Sequence, residues 1–307
     1  MHGIGTYCRT TAIDIFVDRF LSGDNGKPES GGGGGGEKKK QIISLGAGTD
    51  TRYWRLRKQG KTTDLVYHEF DFPDVARLKH AIVRKNTVLQ QDDKEVLFEE
   101  SSEDGDPEWG FRGKPSQSQI DTAGGEVEEL NYIFHPLDLR SVPSTPLSTL
   151  KGIYNNIPTL LISECCLCYF PTSTAHSIIQ VFSEGIPDLG IILYEPIGPN
   201  DAFGQMMKQN LKARGLSMPT VAVYEDLDAQ KKRLRSEGFD SKEEVTGGAQ
   251  AIDIEGVWER WVGQDEKERV DALEGLDEVE EWIVLARHYA IVWGWRGGGF
   301  DGWENVR

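Results

Sequence analysis

Basic residues are in short supply. Lys and Arg number 34 against 50 Asp and Glu, a formal charge of −16, and a surface of that sign repels phosphate backbones and anionic bilayers. Nucleic acid and membrane are therefore not expected among the partners, and the charge is read as favouring solubility. Long apolar runs are missing too. No stretch approaches the roughly 18 residues of a membrane span, and no charged-then-apolar leader opens the chain. A soluble, cytoplasmic monomer is expected. Cysteine is sparse: Cys8, Cys165, Cys166 and Cys168. Three of the four fall within four residues and cannot pair comfortably with one another, which argues against a disulfide scaffold and for a reducing compartment. No second Cys or His pair stands at metal-ligand spacing, so no metal is expected. The thiols read as buried core groups on a strand.

Apolar residues are only 38% of the chain, low for a compact globule, and two polar tracts explain much of the deficit. Residues 22–40 contain six consecutive glycines and read as a flexible connection. Residues 91–128 are acidic and low in complexity, and read as a solvated insertion. The remainder suffices for one domain spanning 1–307.

What is present centres on Gln41 to Leu56, QIISLGAGTDTRYWRL. A short apolar strand runs into Gly46-Ala47-Gly48 and then into a segment able to open a helix. Glycine there lets backbone approach a ligand where a side chain would collide, at the edge where open α/β sheets bind nucleotides. The dinucleotide fingerprint needs a third glycine, and Thr51 stands in its place. That favours a nucleotide without a pyrophosphate, such as S-adenosylmethionine, although an ordinary strand-to-helix turn would look the same.

Along the chain, Thr10 to Leu21 carries a helical apolar stripe. A second strand, Leu65 to Phe72, ends in Glu69 and Asp71, either of which could accept hydrogen bonds from ribose hydroxyls. A third strand, Leu130 to Phe134, is followed by Asp138-Leu139, and Thr159 to Ile162 reads as a central buried strand. Glu164 is the one charge in the apolar stretch after it and needs a partner. A helix over 173–182, a strand over 191–194, an amphipathic helix with Phe203, Met206, Met207 and Leu211 on its core-packing face, a helix over 224–238, and closing strands within 282–295 complete the pattern. Strands alternating with helices make a doubly wound, mostly parallel α/β sheet.

Seven motifs in order, GTYCRT, LGAGTDTRYWRL, EFDFP, the DL of 138–139, ISECCLCYF, YEPIGPNDAFGQMM and RHYAIVWGW, resemble those of the leucine carboxyl methyltransferases, over about Gly5 to Trp295. The resemblance implies a Rossmann-like, S-adenosylmethionine-dependent methyltransferase fold with helical additions over the substrate. It implies esterification of the C-terminal leucine of the type 2A protein phosphatase catalytic subunit. Carried across, Arg9 matches the arginine on the cofactor's methionyl carboxylate, Gly46 the backbone-approach glycine, and Asp71 the ribose acid, with Glu69 as its rival. Asp138 and Leu139 match the pair beside adenine, and Glu164 the carboxylate near the amino-acid end. Tyr169 and the helix after Tyr194 are expected to line the leucine pocket. No general base is expected. Two alternatives carry different expectations: a related tRNA wybutosine-synthesis enzyme, with a long extra propeller region, and a truncated phosphatase-binding relative. The last arises because only eight residues precede Arg9, where the family has a longer helical segment over the cofactor.

Overall fold

The computed structural model describes residues 2–22, 39–89, 96–98, 131–241, 246–274 and 279–306. The glycine tract lies outside the described residues except at its ends. So does the acidic insertion, apart from Val96–Phe98, which forms a short strand.

Among the described residues eight strands make one sheet: β1 Lys40–Leu45, β2 Leu65–Asp71, β3 Val96–Phe98, β4 Tyr132–Pro136, β5 Thr159–Glu164, β6 Leu189–Pro196, β7 Gly247–Asp253 and β8 Tyr289–Arg296, in the order β3-β4-β2-β1-β5-β6-β8-β7. The first six run parallel, whereas β8 pairs antiparallel with both β6 and β7. Neighbouring residues of β1 feed opposite faces: Ile42 joins one core cluster and Ile43 the other. Both faces are thus covered, which explains why the central strands read as continuous apolar runs. Chain direction across the sheet reverses between β1 and β5, the position where doubly wound sheets open a crevice.

Helix α1, His2–Ser22, is longer than its sequence stripe. Ile4, Cys8, Ala12, Phe16 and Phe20, four residues apart, are all buried, the spacing that keeps one helix face against a core. α2 (Arg52–Lys58) and, after α3 (Pro73–Lys85) between β2 and β3, the helices α4 (Thr172–Gly185), α5 (Ala202–Ala213) and α6 (Leu227–Ser236) follow the expected positions. α6 starts three residues late, because the Asp226 side chain accepts from Ala229 N–H and sets the cap there.

Three expectations fail for physical reasons. Residues 282–286 belong not to a strand but to helix α9, Val279–Ala286, following α7 (Ile254–Trp261) and α8 (Gln264–Glu274). Trp282 and Ala286 are buried one helical turn apart, the period that a strand reading overlooks. The methionine face of α5 does not pack in the core; Met206 is 61% exposed. The clustered cysteines are not on a strand. β5 ends at Glu164, Cys165 adopts a left-handed φ of 47°, and Cys168 sits in a 3-10 turn, Leu167–Tyr169. Among the described residues no helix is long and apolar enough to cross a membrane.

Candidate functional site

The carboxyl ends of β1 and β5 meet the amino-terminal half of α1 and the start of α2 around a cleft of about 330 Å³, a size suited to a small molecule. Its walls include Arg9, Thr10, Gly46, Ala47, Asp50, Arg52 and Glu164. Gly46 has φ +64°, and a Cβ there would come within 2.5 Å of Cys166 Sγ. Only glycine satisfies both the conformation and the contact. Gly46 N–H donates to Phe70 O at 2.8 Å, tying the turn to β2.

Asp71, at the tip of β2, accepts from Gly48 N–H through Oδ2 at 2.7 Å and from Phe72 N–H through Oδ1 at 2.7 Å. Its rival is differently employed. Glu69 is 2% exposed and pairs with Lys79 at 2.6 Å. Burial pushes its carboxyl up to about 7, opposed by Lys79, so Glu69 is an interior group and Asp71 the acid at the strand tip. Leu137 N–H donates to Asp71 O at 2.9 Å and brings the end of β4 alongside. There Asp138 caps the 3-10 helix Leu139–Ser144 by accepting from Arg140 N–H, and its side chain pairs with Arg140. The Leu139 side chain is buried in the core with Leu45 and Phe70.

At the opposite end Glu164 finds two partners. Oε1 accepts from Arg52 Nη2 at 2.9 Å, and Oε2 lies 3.2 Å from Arg9 Nε. Arg52 also meets Asp50 at 2.5 Å and Asp14 of α1 at 3.2 Å, and Arg55 pairs with Asp14 as well. Burial opposes the charge on Arg52, yet the nearby Tyr67, Asp50, Glu164 and Asp14 outweigh it and raise its pKa further above the ordinary arginine value. Arg9 additionally lies over the Tyr194 ring, 5.5 Å from its centre, and Tyr194 stacks on Tyr289. Burial raises the Tyr289 phenol to about 12, assisted by Cys165 and Tyr169, so it stays protonated. Tyr169 is 43% exposed, and its 3-10 turn packs on a second one, Pro219–Ala222, just beyond α5.

The cleft thus gathers Arg9, Gly46 and Glu164 directly. Asp71 with Asp138 and Leu139 forms an adjoining edge, and Tyr169 sits apart from the cleft lining. The sequence reading missed Arg52, Arg55, Asp14 and Tyr289. Arg52 had a signal, standing one residue past the place of the missing glycine; Asp14 looked like any polar position in an apolar stripe.

A GxG turn at the switch point, an acid at the second strand tip and a ring of charges under the first helix make the kind of crevice in which doubly wound sheets bind nucleotides, and the similarities of the chain set its class as a methyltransferase. The leucine carboxyl methyltransferase family model matches residues 3–183, more than half of the chain. The "Leucine carboxyl methyltransferase 1" of Aspergillus fumigatus is 40% identical, covering 98% of this chain and 75% of its own. Its namesake in Emericella nidulans is also 40% identical over 98% and 76%, and that in Schizosaccharomyces pombe 32% identical over 94% and 79%. A solved putative methyltransferase from Thermobifida fusca shares the fold at a TM-score of 0.50 and 12% identity, covering 94% of this chain and 81% of that one. The chain belongs to the leucine carboxyl methyltransferase family and is a methyltransferase. The family takes its methyl group from S-adenosylmethionine.

Proposed function

We propose that this chain methylates the C-terminal leucine α-carboxylate of the protein phosphatase 2A catalytic subunit, with S-adenosylmethionine seated in the crevice between β1, β2 and β5. The observation that carries the reading is the pairing of Arg9 with Glu164 at the mouth of a glycine turn whose other side is fastened to Asp71. The donor set suits the group. A cation and an anion side by side match an amino-acid zwitterion, and a carboxylate at a strand tip matches vicinal hydroxyls.

In this assignment Arg9 holds the methionyl carboxylate and Glu164 the amine. Asp71 accepts from the ribose, using lone pairs left over from Gly48 and Phe72. The Asp138-Leu139 segment lies beside the adenine through its backbone and the Asp138 carboxylate, since the Leu139 side chain belongs to the core. When bound, S-adenosylmethionine supplies an electrophilic methyl on a positive sulfur. The leucine carboxylate is ionised at neutral pH, so the protein has no proton to remove. Its task is alignment and exclusion of water. In the same assignment Tyr169, Tyr289 and the start of α5 form the leucine side. The whole chain acts as one methyltransferase unit.

The test is methyl transfer to the phosphatase. Incorporation into the intact catalytic subunit, but not into one lacking its C-terminal leucine, is expected. Equal incorporation into both, or none into either, contradicts the assignment.

A further inference from the structure

Arg52 has no role in the assignment above, yet it links more elements of the crevice than Arg9 does. It opens α2, is 2% exposed, and meets carboxylates on three separate segments: Asp14 of α1 through Nε, Asp50 of the glycine turn through Nη1, and Glu164 at the tip of β5 through Nη2. A planar fork with five donors on three nitrogens reaches three carboxylates in different directions, whereas a lysine ammonium carries its three donors on a single nitrogen.

The consequence runs through Glu164. One of its oxygens is taken by Arg52, and the other faces Arg9 Nε. Among the described residues this is the one ion pair of Arg9. The nearest approach of that pair is through Nε, and among the described residues no hydrogen bond engages the two terminal nitrogens, the atoms with which a guanidinium can grip a carboxylate by two parallel bonds. Without Arg52, the half-buried Glu164 would have Arg9 as its sole cation, because Arg55 is committed to Asp14. Arg9 would then turn its fork onto Glu164 and away from a ligand.

We propose that Arg52 is a positioning residue for the amino-acid end of the methyl donor, fixing Glu164 and, through it, leaving the Arg9 fork open. The inference rests on the proposed methyl-donor site and adds to it a residue of the cleft wall that acts through Glu164 and Arg9.

Two ligands separate positioning from general structure: S-adenosylmethionine, and 5′-methylthioadenosine, which keeps the adenosine and sulfur but lacks the amino acid. Calorimetric titration of the full chain and of Arg52→Lys, Glu164→Gln and the double variant is the experiment, with melting temperatures recorded alongside. Arg52→Lys is expected to weaken S-adenosylmethionine roughly tenfold or more, the loss of a charged hydrogen bond. Methylthioadenosine should stay within about twofold, as expected for a distant group. The double variant should be no weaker than the worse single one, since both changes break one unit. Unchanged S-adenosylmethionine binding, equal loss of both ligands, or additive losses would overturn the proposal. Should Arg52→Lys not fold, Asp50→Asn carries the same test: selective loss of S-adenosylmethionine supports the proposal, and equal loss of both ligands overturns it. A wild-type chain that binds neither ligand removes the methyl-donor site and this inference with it. Wild-type binding with no dependence on Arg52 removes the inference alone.

Discussion

The two ends of the crevice are organised by different physics. At the end under α1, side chains hold one another: Arg9, Arg52 and Arg55 meet Asp14, Asp50 and Glu164, drawn from α1, the turn after β1, α2 and β5. At the end toward β4, carboxylates are held by backbone: Asp71 by the N–H groups of Gly48 and Phe72, Asp138 by that of Arg140, with only the exposed Arg140 side chain added. A charged network assembled from distant segments fixes geometry strongly but fails as a unit. A carboxylate seated on local backbone is fixed by the turn it belongs to and fails by itself. The first end suits a zwitterion; the second suits neutral hydroxyls and a base.

Breaking the side-chain end should therefore have the larger effect. Arg9→Ala is expected to weaken S-adenosylmethionine by about 1.5 to 3 kcal/mol, as removal of a charged hydrogen-bond partner does, measured by titration calorimetry. An unchanged affinity would remove the contrast between the ends. Asp71→Ala should weaken the same ligand less, by about 1.5 kcal/mol, and Asp71→Asn less again, because its amide oxygen can still accept from Gly48. Equal losses from Asn and Ala would mean that the charge, not the acceptor, matters there. Tyr169→Ala should raise KM for the phosphatase while leaving S-adenosylmethionine affinity nearly intact; parallel loss of both would move Tyr169 from the leucine side into the donor site. Asp138→Ala should cost about 0.5 to 1 kcal/mol of stability as a lost cap, read as a small drop in Tm.

Glu69 sharpens the comparison from the interior. Its carboxyl binds a proton more tightly folded than unfolded, because burial lifts it to about 7 against the pull of Lys79. That contribution to stability is complete below the ordinary carboxyl range and disappears as pH rises through about 7. The Tm of the wild type relative to Glu69→Gln should fall as pH increases across this window. A constant difference would show that Lys79 already neutralises Glu69 throughout.

Much of the fold was legible because apolar period and glycine placement are local. β1, β2, β5, β6 and α4 follow directly from them. The antiparallel closing pair was half hidden. β7 reads Gly247-Gly248-Ala249 and lacks the β-branched run that marks a strand; its strand character comes from pairing with β8. Val279–Ala286 was lost because the short apolar run Trp282-Ile283-Val284-Leu285-Ala286 suits either period. Of the site, Arg9, Gly46 and Glu164 were found from motifs and do line one cleft. Glu69 and Asp71, two residues apart with the same chemistry, could be told apart only by burial. Arg52 and Asp14 were invisible as a pair, since 38 residues separate partners that folding brings to 3.2 Å.

The most direct test of the account is a crystal structure of the chain with S-adenosylhomocysteine. The account predicts the ligand across β1, β2 and β5, its carboxylate on the Arg9 fork, its amine on Glu164 and its ribose on Asp71. A ligand in another cavity, or a ribose facing away from Asp71 with the amino-acid end remote from Arg9, would contradict it.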